Sequence, residues 1–257
     1  MTEQRPDFTT FRERLLTRQR MFGTFLKLPT TQVIEILGTI GYDFVVIDQE
    51  HAPLDRNITD LMIFAARASN IAPLVRVGEF TDANILSALD CGAMGIMVPH
   101  VTTVEKAQAI ARSCRYAGGN RGFAGLTRAG MWGSVGGIRH MAQQDRQIAC
   151  IAMIEDVEAV DRAEEIAAVD GIDALFIGRG DLTASFGDDP QAQAKVAEIS
   201  RKVAAAAQKA NVPLLMLPTS KADLAFAREL GASAILLSSD HGFIRSAASA
   251  TLADYSD

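Results

Sequence analysis

Eight short apolar runs, each followed by a stretch with helical spacing, recur from one end of this chain to the other. The runs are Phe22–Leu28, Phe44–Asp48, Pro73–Val77, Gly95–Pro99, Ile148–Glu155, Ala174–Gly178, Pro213–Leu217 and Ala234–Ser239. Runs of about five apolar residues with β-branched content, bounded by turn signals, read as buried strands. Between them Thr31–Thr39, Ile58–Ser69, Asp82–Cys91, Val104–Arg115, Val157–Ala168, Ala192–Lys209, Lys221–Leu230 and Gly242–Ala253 read as helices. Gly41, Gly92, Gly171 and Gly231 follow such segments as stop signals. Strands that are apolar throughout must be covered on both faces, which crossover helices do for a parallel sheet. Eight such units in 257 residues predict one closed α/β (β/α)8 TIM barrel rather than an open sheet. No linker interrupts the pattern, so residues 1–257 read as one domain with residues 1–20 as an N-terminal helical extension. No G-x-G-x-x-G follows the first run, which argues against a dinucleotide site. The segment Tyr116–Gly137 breaks the rhythm with eight glycines and the single Trp, Trp132. A loop of that length inside a compact domain is usually functional or mobile.

Composition narrows the function classes. Lys and Arg number 25 against 31 Asp and Glu, a formal net charge of −6, so no general nucleic-acid binding is expected. A 48% hydrophobic and 22% charged chain is not disordered. No stretch approaches the ~18 apolar residues that span a bilayer, so no membrane partner is expected. The N-terminus MTEQRPDFTTFRERLLTRQR has no apolar signal core, and a cytoplasmic location is the expectation. Cys91, Cys114 and Cys150 show no metal-like spacing and read as reduced structural thiols.

In a barrel of this type the chemistry is built at the C-terminal ends of the strands. Polar groups there are Asp48, Gln49, Glu50 and His51 after the second run, Arg76 in the third, Glu155 ending the fifth and Arg179-Gly180-Asp181 after the sixth. The eighth runs into Asp240-His241, while the first and seventh offer only Lys27 and Thr219. Two carboxylates at neighbouring strand ends, Glu155 and Asp181, repel unless a cation lies between them or one is protonated. Hard oxygen donors suit Mg²⁺ or Mn²⁺. The competing reading is helix capping, by Asp181 for its own short helix and by Asp156 or Asp161 for the helix after the fifth run. His51, flanked by Asp48 and Glu50, can act as a general base. His100 can reach the mouth, and His140 is given no role. Arg76 in an apolar strand must meet an anion, structural or substrate.

The sequence resembles the class II, metal-dependent pyruvate aldolases of the HpcH/HpaI family, from about Phe22 to about Leu230. The likeness is carried by GTFLKL, GYDFVVIDQEHAPLD, PLVRV, LDCGAMGIMVPHV, RYAGGNRGFAG, MIED and GIDALFIGRGDLTASFG. It implies a barrel of the phosphoenolpyruvate/pyruvate-domain type whose last helix, here Gly242–Ala253, is exchanged between subunits. It implies a homo-oligomer, a hexamer built as a trimer of dimers. It implies a lyase that splits a 4-hydroxy-2-oxo acid into pyruvate and an aldehyde through an enolate that a divalent cation stabilises. Mg²⁺ or Mn²⁺ is the implied cofactor, with Co²⁺ also admitted; a small 2-oxo acid and an aldehyde are the implied partners. Residue by residue, the resemblance makes Glu155 and Asp181 the metal ligands and His51 the proton acceptor. Asp90 becomes the acid that raises the basicity of His51, Arg76 the enolate stabiliser and Gly180 the backbone cradle for the pyruvate carboxylate. Asp48 and Glu50 support the cation's waters or His51.

Three positions depart from the family pattern. Met153 stands where a glutamine usually contacts the keto acid. Arg179 replaces a proline and can hold a second carboxylate or turn outward. Ser238-Ser239-Asp240-His241 is more polar than expected. Two alternatives therefore stand beside the aldolase reading: a carbon–carbon condensing enzyme using another 2-oxo acid such as oxaloacetate, and a non-catalytic barrel.

Overall fold

Each apolar run becomes a strand in the computed structural model, which describes residues 5–256. Residues 1–4 of the expected extension and residue 257 lie outside the described residues. The strands are β1 (Met21–Leu26), β2 (Phe44–Asp48), β3 (Ala72–Arg76), β4 (Gly95–Val98), β5 (Ala149–Ile154), β6 (Ala174–Ile177), β7 (Leu214–Met216) and β8 (Ala232–Ser239). They pair in parallel in chain order, and β8 closes onto β1 to make the barrel.

The helices are α1 (Phe11–Leu16), α2 (Gln32–Ile40), α3 (Arg56–Ala68), α4 (Asp82–Asp90), α5 (Val104–Ser113) and α6 (Gly137–Gln147). They continue as α7 (Val157–Val160), α8 (Ala163–Ala167), α9 (Arg179–Ala184), α10 (Ala192–Lys209), α11 (Lys221–Glu229) and α12 (Asp240–Asp254). Side-chain caps start several of them. Asp55 accepts from Ile58 N, Thr81 from Asn84 N, Thr103 from Lys106 N and Ser220 from Asp223 N. Each satisfies a backbone donor that the first turn leaves free. The helix expected over 157–168 is broken into α7 and α8, because Arg162 leaves helical angles. Residues 137–147, outside the eight-unit pattern, form the additional helix α6.

Strand residues divide by parity into two cores. Phe44, Val46, Leu74, Ile151 and Met153 point into the barrel. Val45, Ile47, Val75, Cys150 and Ile154 point outward under the helices. Both faces are buried, which is why the runs lack polar alternation. Each fully buried side chain of this size contributes about 1.5–3 kcal/mol. Helix α1 closes the N-terminal end: Phe11 and Leu15 join the inner core, and the Phe11 and Phe44 rings lie 5.3 Å apart. Asp173 holds this end together, accepting from Arg12 at 2.7 Å, Arg115 at 2.8 Å and Cys150 N at 2.8 Å. All three cysteines are buried and free.

The same parity carries Asp48, Arg76 and Glu155 into the barrel at the opposite end. Helix α12 leaves that end but packs little: Ile244, Leu252 and Tyr255 are exposed. Among the described residues, no helix is long and apolar enough to cross a membrane.

Candidate active site

The C-terminal end of the barrel opens into a cavity of about 970 Å³, whose lining includes Lys27, His51, Arg76, Glu155, Gly180 and Asp181. Strand register builds its first element. Asp48 and Arg76 are paired across β2 and β3, so their inward side chains meet. Arg76 donates to Asp48 through Nε at 2.9 Å and Nη2 at 2.7 Å, while Nη1 lies 3.1 Å from Glu50 Oε2. Its guanidinium also stacks on the Phe25 ring at 4.8 Å. Lys27 Nζ stands 3.3 Å from Asp48, and the backbone N–H groups of Glu50 and His51 donate to Asp48 Oδ1. Burial pushes the Asp48 carboxyl up. The hydrogen bonds and charge of Arg76, with His51 N–H and Lys27, outweigh it and hold Asp48 below the usual range.

The second element is Glu155, 1% exposed at the end of β5. Its Oε1 accepts from the backbone N–H of His100 at 2.8 Å, and its Oε2 has no hydrogen-bond partner. Pairing of β5 with β6 sets Glu155 beside Gly178, where a β-carbon would run into the Glu155 Cβ and Oε2. Only glycine allows this approach. Burial, with the charges of Glu50 and Asp181, pushes Glu155 up to about 7 against the opposing His100 N–H. A buried carboxylate oxygen without a donor, facing a cavity that also holds Asp181, suits a hard divalent cation. Asp181 lies in the first turn of α9 after Gly178, which has no side chain to cap it.

His100, which the sequence reading set within reach of the mouth, lies beside Glu155 and Glu50. Its backbone is left-handed (φ 53) just beyond β4. Lys106 Nζ donates to the carbonyls of Pro99 and His100 at 3.1 and 2.8 Å and holds that turn. The ring is 51% exposed; Nδ1 lies 3.1–3.2 Å from both Asp156 oxygens, and Nε2 lies 3.6 Å from Glu50 Oε1. Burial alone lowers its pKa, but Asp156, Glu155 and Glu50 outweigh burial and raise it. Asp156 sits at the N-cap of α7 yet makes no side-chain cap bond, so its carboxylate serves His100 instead. Glu50, His100 and Glu155 offer ligand atoms within 4.8 Å of one another.

The other expected residues fall as follows. His51 lies at the cavity with Glu50 Oε2 3.8 Å from its Nε2. Gly180 is exposed, with open space around it. Met153 is buried and lines the floor. Arg179 is tied down: it donates to both Asp223 oxygens at 2.5 and 2.6 Å and to the Leu217 carbonyl at 2.7 Å. It therefore braces α9 against α11 while still lining the cavity. Asp240 accepts from the backbone N–H groups of Lys27 and Leu28, so the polar end of β8 ties β8 to β1.

Asp90 is not brought to His51. It is the last residue of α4, half-buried, and its Oδ1 lies 3.6 Å from Arg121 Nη2. Arg121 sits in the glycine-rich segment with its side chain buried, and its Nε and Nη2 have no hydrogen-bond partner. Burial pushes Asp90 up against the opposing charge of Arg121. His140 is buried beside them, its Nε2 3.3 Å from the Tyr116 hydroxyl. None of residues 114–148 lines the cavity; Arg128 of this segment pairs with Asp60 and covers Phe64 on α3.

Comparison with known proteins agrees with this geometry. The profile of the HpcH/HpaI aldolase/citrate lyase family matches residues 21–247. A hydroxypyruvate/pyruvate aldolase of Sagittula stellata is 32% identical over 252 residues, covering 96% of this chain and 97% of its own. A 5-keto-4-deoxy-D-glucarate aldolase of Escherichia coli is 33% identical over 243 residues, covering 92% and 93%. The crystal structure of citrate synthase SbnG superposes with a TM-score of 0.86 at 33% identity, covering 96% and 97%.

Proposed function

Because the chain belongs to the HpcH/HpaI aldolase/citrate lyase family, we propose that it is a divalent-cation-dependent lyase that splits a 4-hydroxy-2-oxo acid into pyruvate and an aldehyde. The observation that carries this reading is Glu155, a buried carboxylate with an unpartnered oxygen facing a cavity that also holds Arg76, His51 and Asp181. Glu155 and Asp181 would hold the cation, Mg²⁺ or Mn²⁺ by their oxygen donors, with Co²⁺ accepted. A cation there supplies Lewis-acid polarisation of the 2-oxo acid and offsets enolate charge.

The protein's own groups do the rest. The backbone at Gly180 offers N–H donors at the start of α9 to the substrate carboxylate, in open space. Arg76, oriented by Asp48 and Glu50, presents positive charge toward the developing enolate. In cleavage the His51 imidazole takes the 4-hydroxyl proton, the C3–C4 bond breaks, and its electron pair passes into the enolate. Protonation at C3 then gives the pyruvate methyl group.

The role given to Asp90 requires a second copy of the chain, since within one protomer it faces Arg121 and not His51. The exposed α12 supports helix exchange, and with it a hexamer built as a trimer of dimers.

A second reading, condensation with oxaloacetate or another 2-oxo acid, is favoured by Met153 and by the likeness to citrate synthase SbnG. One experiment separates the readings. The protein is incubated with Mg²⁺ or Mn²⁺ and pyruvate in D₂O, and the methyl protons are followed by NMR. Metal-dependent exchange is the expected result. Exchange only with another 2-oxo acid selects the second reading, and exchange with no donor refutes both.

A further inference from the structure

Lys27, Arg76 and Arg179 are the lysine and arginine side chains that line the cavity. The two arginines are committed. Arg76 donates through Nε and Nη2 to Asp48 and points Nη1 at Glu50, and Arg179 donates to Asp223 and to the Leu217 carbonyl. Lys27 differs. Its ammonium carries three donors. Among the described residues its ion-pair partner is Asp48 Oδ2 at 3.3 Å, an oxygen that Arg76 Nη2 already holds at 2.7 Å. Asp48 also accepts from Arg76 Nε and from the backbone N–H groups of Glu50 and His51. A carboxylate has about four acceptor sites, so Asp48 has none left to draw the ammonium closer.

The turn that carries Lys27 is pinned. Asp240, buried at the end of β8, accepts from the N–H groups of Lys27 at 2.9 Å and Leu28 at 2.8 Å. Beside it Ser238 and Ser239 line the same cavity. The Ser239 Oγ atom accepts from Gly242 N–H, which leaves its own O–H free to donate. Ser238 is left-handed (φ 58), an angle that any residue with a β-carbon resists. Such strain at a cavity wall points to a use for the hydroxyl.

Place around the ring decides what these groups meet. Gly180 lies in α9 after β6, and His51 follows β2, four strands away and so across the mouth. A 4-hydroxy-2-oxo acid with its carboxylate at Gly180 and its 4-hydroxyl at His51 spans that diameter, and whatever C4 carries emerges on the β2 side. There β1 pairs with β2, Leu26 opposite Ile47, and on its other edge with β8, Phe25 opposite Ser239. Lys27, Ser238 and Ser239 therefore border the C4 substituent.

We infer that Lys27, with the hydroxyls of Ser238 and Ser239, forms a subsite for the aldehyde half of the substrate and selects an aldehyde that carries a carboxylate. The acid cleaved is then a dicarboxylate, one carboxylate held at α9 and the other at Lys27. The inference rests on the lyase reading above and names its substrate class and the residue that sets it.

The test runs the full-length protein in the condensing direction with pyruvate and Mg²⁺ or Mn²⁺. Carboxylated aldehydes of two to four carbons, from glyoxylate to succinate semialdehyde, are each paired with a neutral aldehyde of the same length. Wild-type kcat/KM is expected to favour the carboxylated member of at least one pair on the order of 10–100-fold, chiefly through the KM of the aldehyde, as a hydrogen bond to a charged group does. Lys27→Met, which keeps the length and removes the charge, should bring that ratio near one, while Lys27→Arg retains most of it. Ser238→Gly, which relieves the left-handed angle and removes the hydroxyl, should lower the ratio a few-fold. A purely structural role for Lys27 slows both members of a pair in Lys27→Met and leaves their ratio, which overturns the inference. Wild type with no preference for the carboxylated member in any pair overturns it too and leaves the lyase reading intact. No aldol product from pyruvate with any aldehyde overturns both. The wild-type ratios are decisive even if a variant does not fold.

Discussion

The mouth of the barrel and the glycine-rich flank over α3 carry the same kinds of residue and use them in opposite ways. At the mouth, charge is matched within one protomer: Arg76 has Asp48 and Glu50, and Arg179 has Asp223. What is left without a partner there, Glu155 Oε2, faces a cavity large enough for substrate. On the flank, Asp90 and Arg121 face each other at 3.6 Å with atoms left without partners. Around them Leu61, Phe64, Phe123, Leu126, Met131 and Trp132 are exposed. An exposed apolar patch of that density marks a protein contact surface. The contrast teaches that the mouth suits a small ligand, while the flank leaves polar and apolar groups that a single chain does not cover.

The sharpest break at the mouth is Glu155→Gln, which keeps shape and removes charge. Metal-dependent turnover is expected to fall on the order of 10³-fold, several kcal/mol of barrier, with the thermal melt still cooperative. Retained turnover would remove Glu155 from the cation site. The matching break on the flank is Trp132→Asp, with Leu126→Asp beside it. Light scattering should show a smaller particle, and activity should fall on the order of 10²-fold because each mouth loses its neighbour. An unchanged mass with unchanged activity refutes the flank as an interface.

A mixing experiment joins the two regions. His51→Ala and Asp90→Asn are each expected to be poorly active, and dissociating and reassembling them together should restore turnover. No recovery means that Asp90 does not serve a neighbour's His51. A smaller effect is expected at the Arg179 brace, where Asp223→Asn should cost about 2 kcal/mol in denaturant unfolding, the scale of hydrogen bonds between charged groups in a largely buried pair.

The smallest effect is one of sign with pH. Hydrogen bonds from Arg179, the largest cause, hold Asp223 below the usual carboxylate value despite burial. Its stabilisation is therefore present above about pH 4 and lost as pH falls further. Asp90 is pushed up by burial, so its contribution is full below about pH 4 and lost as pH rises through its folded value. Thermal melts across this range should lose their acid limb in Asp223→Asn and their decline toward neutrality in Asp90→Asn. The same profile in wild type and both variants would contradict these assignments.

How much was legible beforehand follows from the two strand faces. Asp48, Arg76 and Glu155 could be placed because an inward parity runs unbroken to the strand ends. His100 could be set near the mouth but not given its contacts, since parity places it outward with Val98 and the left-handed turn at His100 overrides that. Asp90 was readable as a residue type in LDCGAMG but not as a position, because α4 returns the chain toward the start of β4. Arg179 was readable as a charge beside the metal, yet its partner Asp223 lies 44 residues away on α11.

The sequence by itself determined the barrel, its strand order and the inward acids, because local periodicity and burial on both strand faces admit one closed parallel arrangement. Only the tertiary structure decided which charge meets which. It turned Arg179 and Asp240 into braces, gave Asp156 to His100, and set Asp90 apart from His51. Those pairings depend on distances of a few ångströms between groups far apart in the chain. Coulomb and hydrogen-bond energies fall off over just those distances, and spacing along a sequence does not encode them.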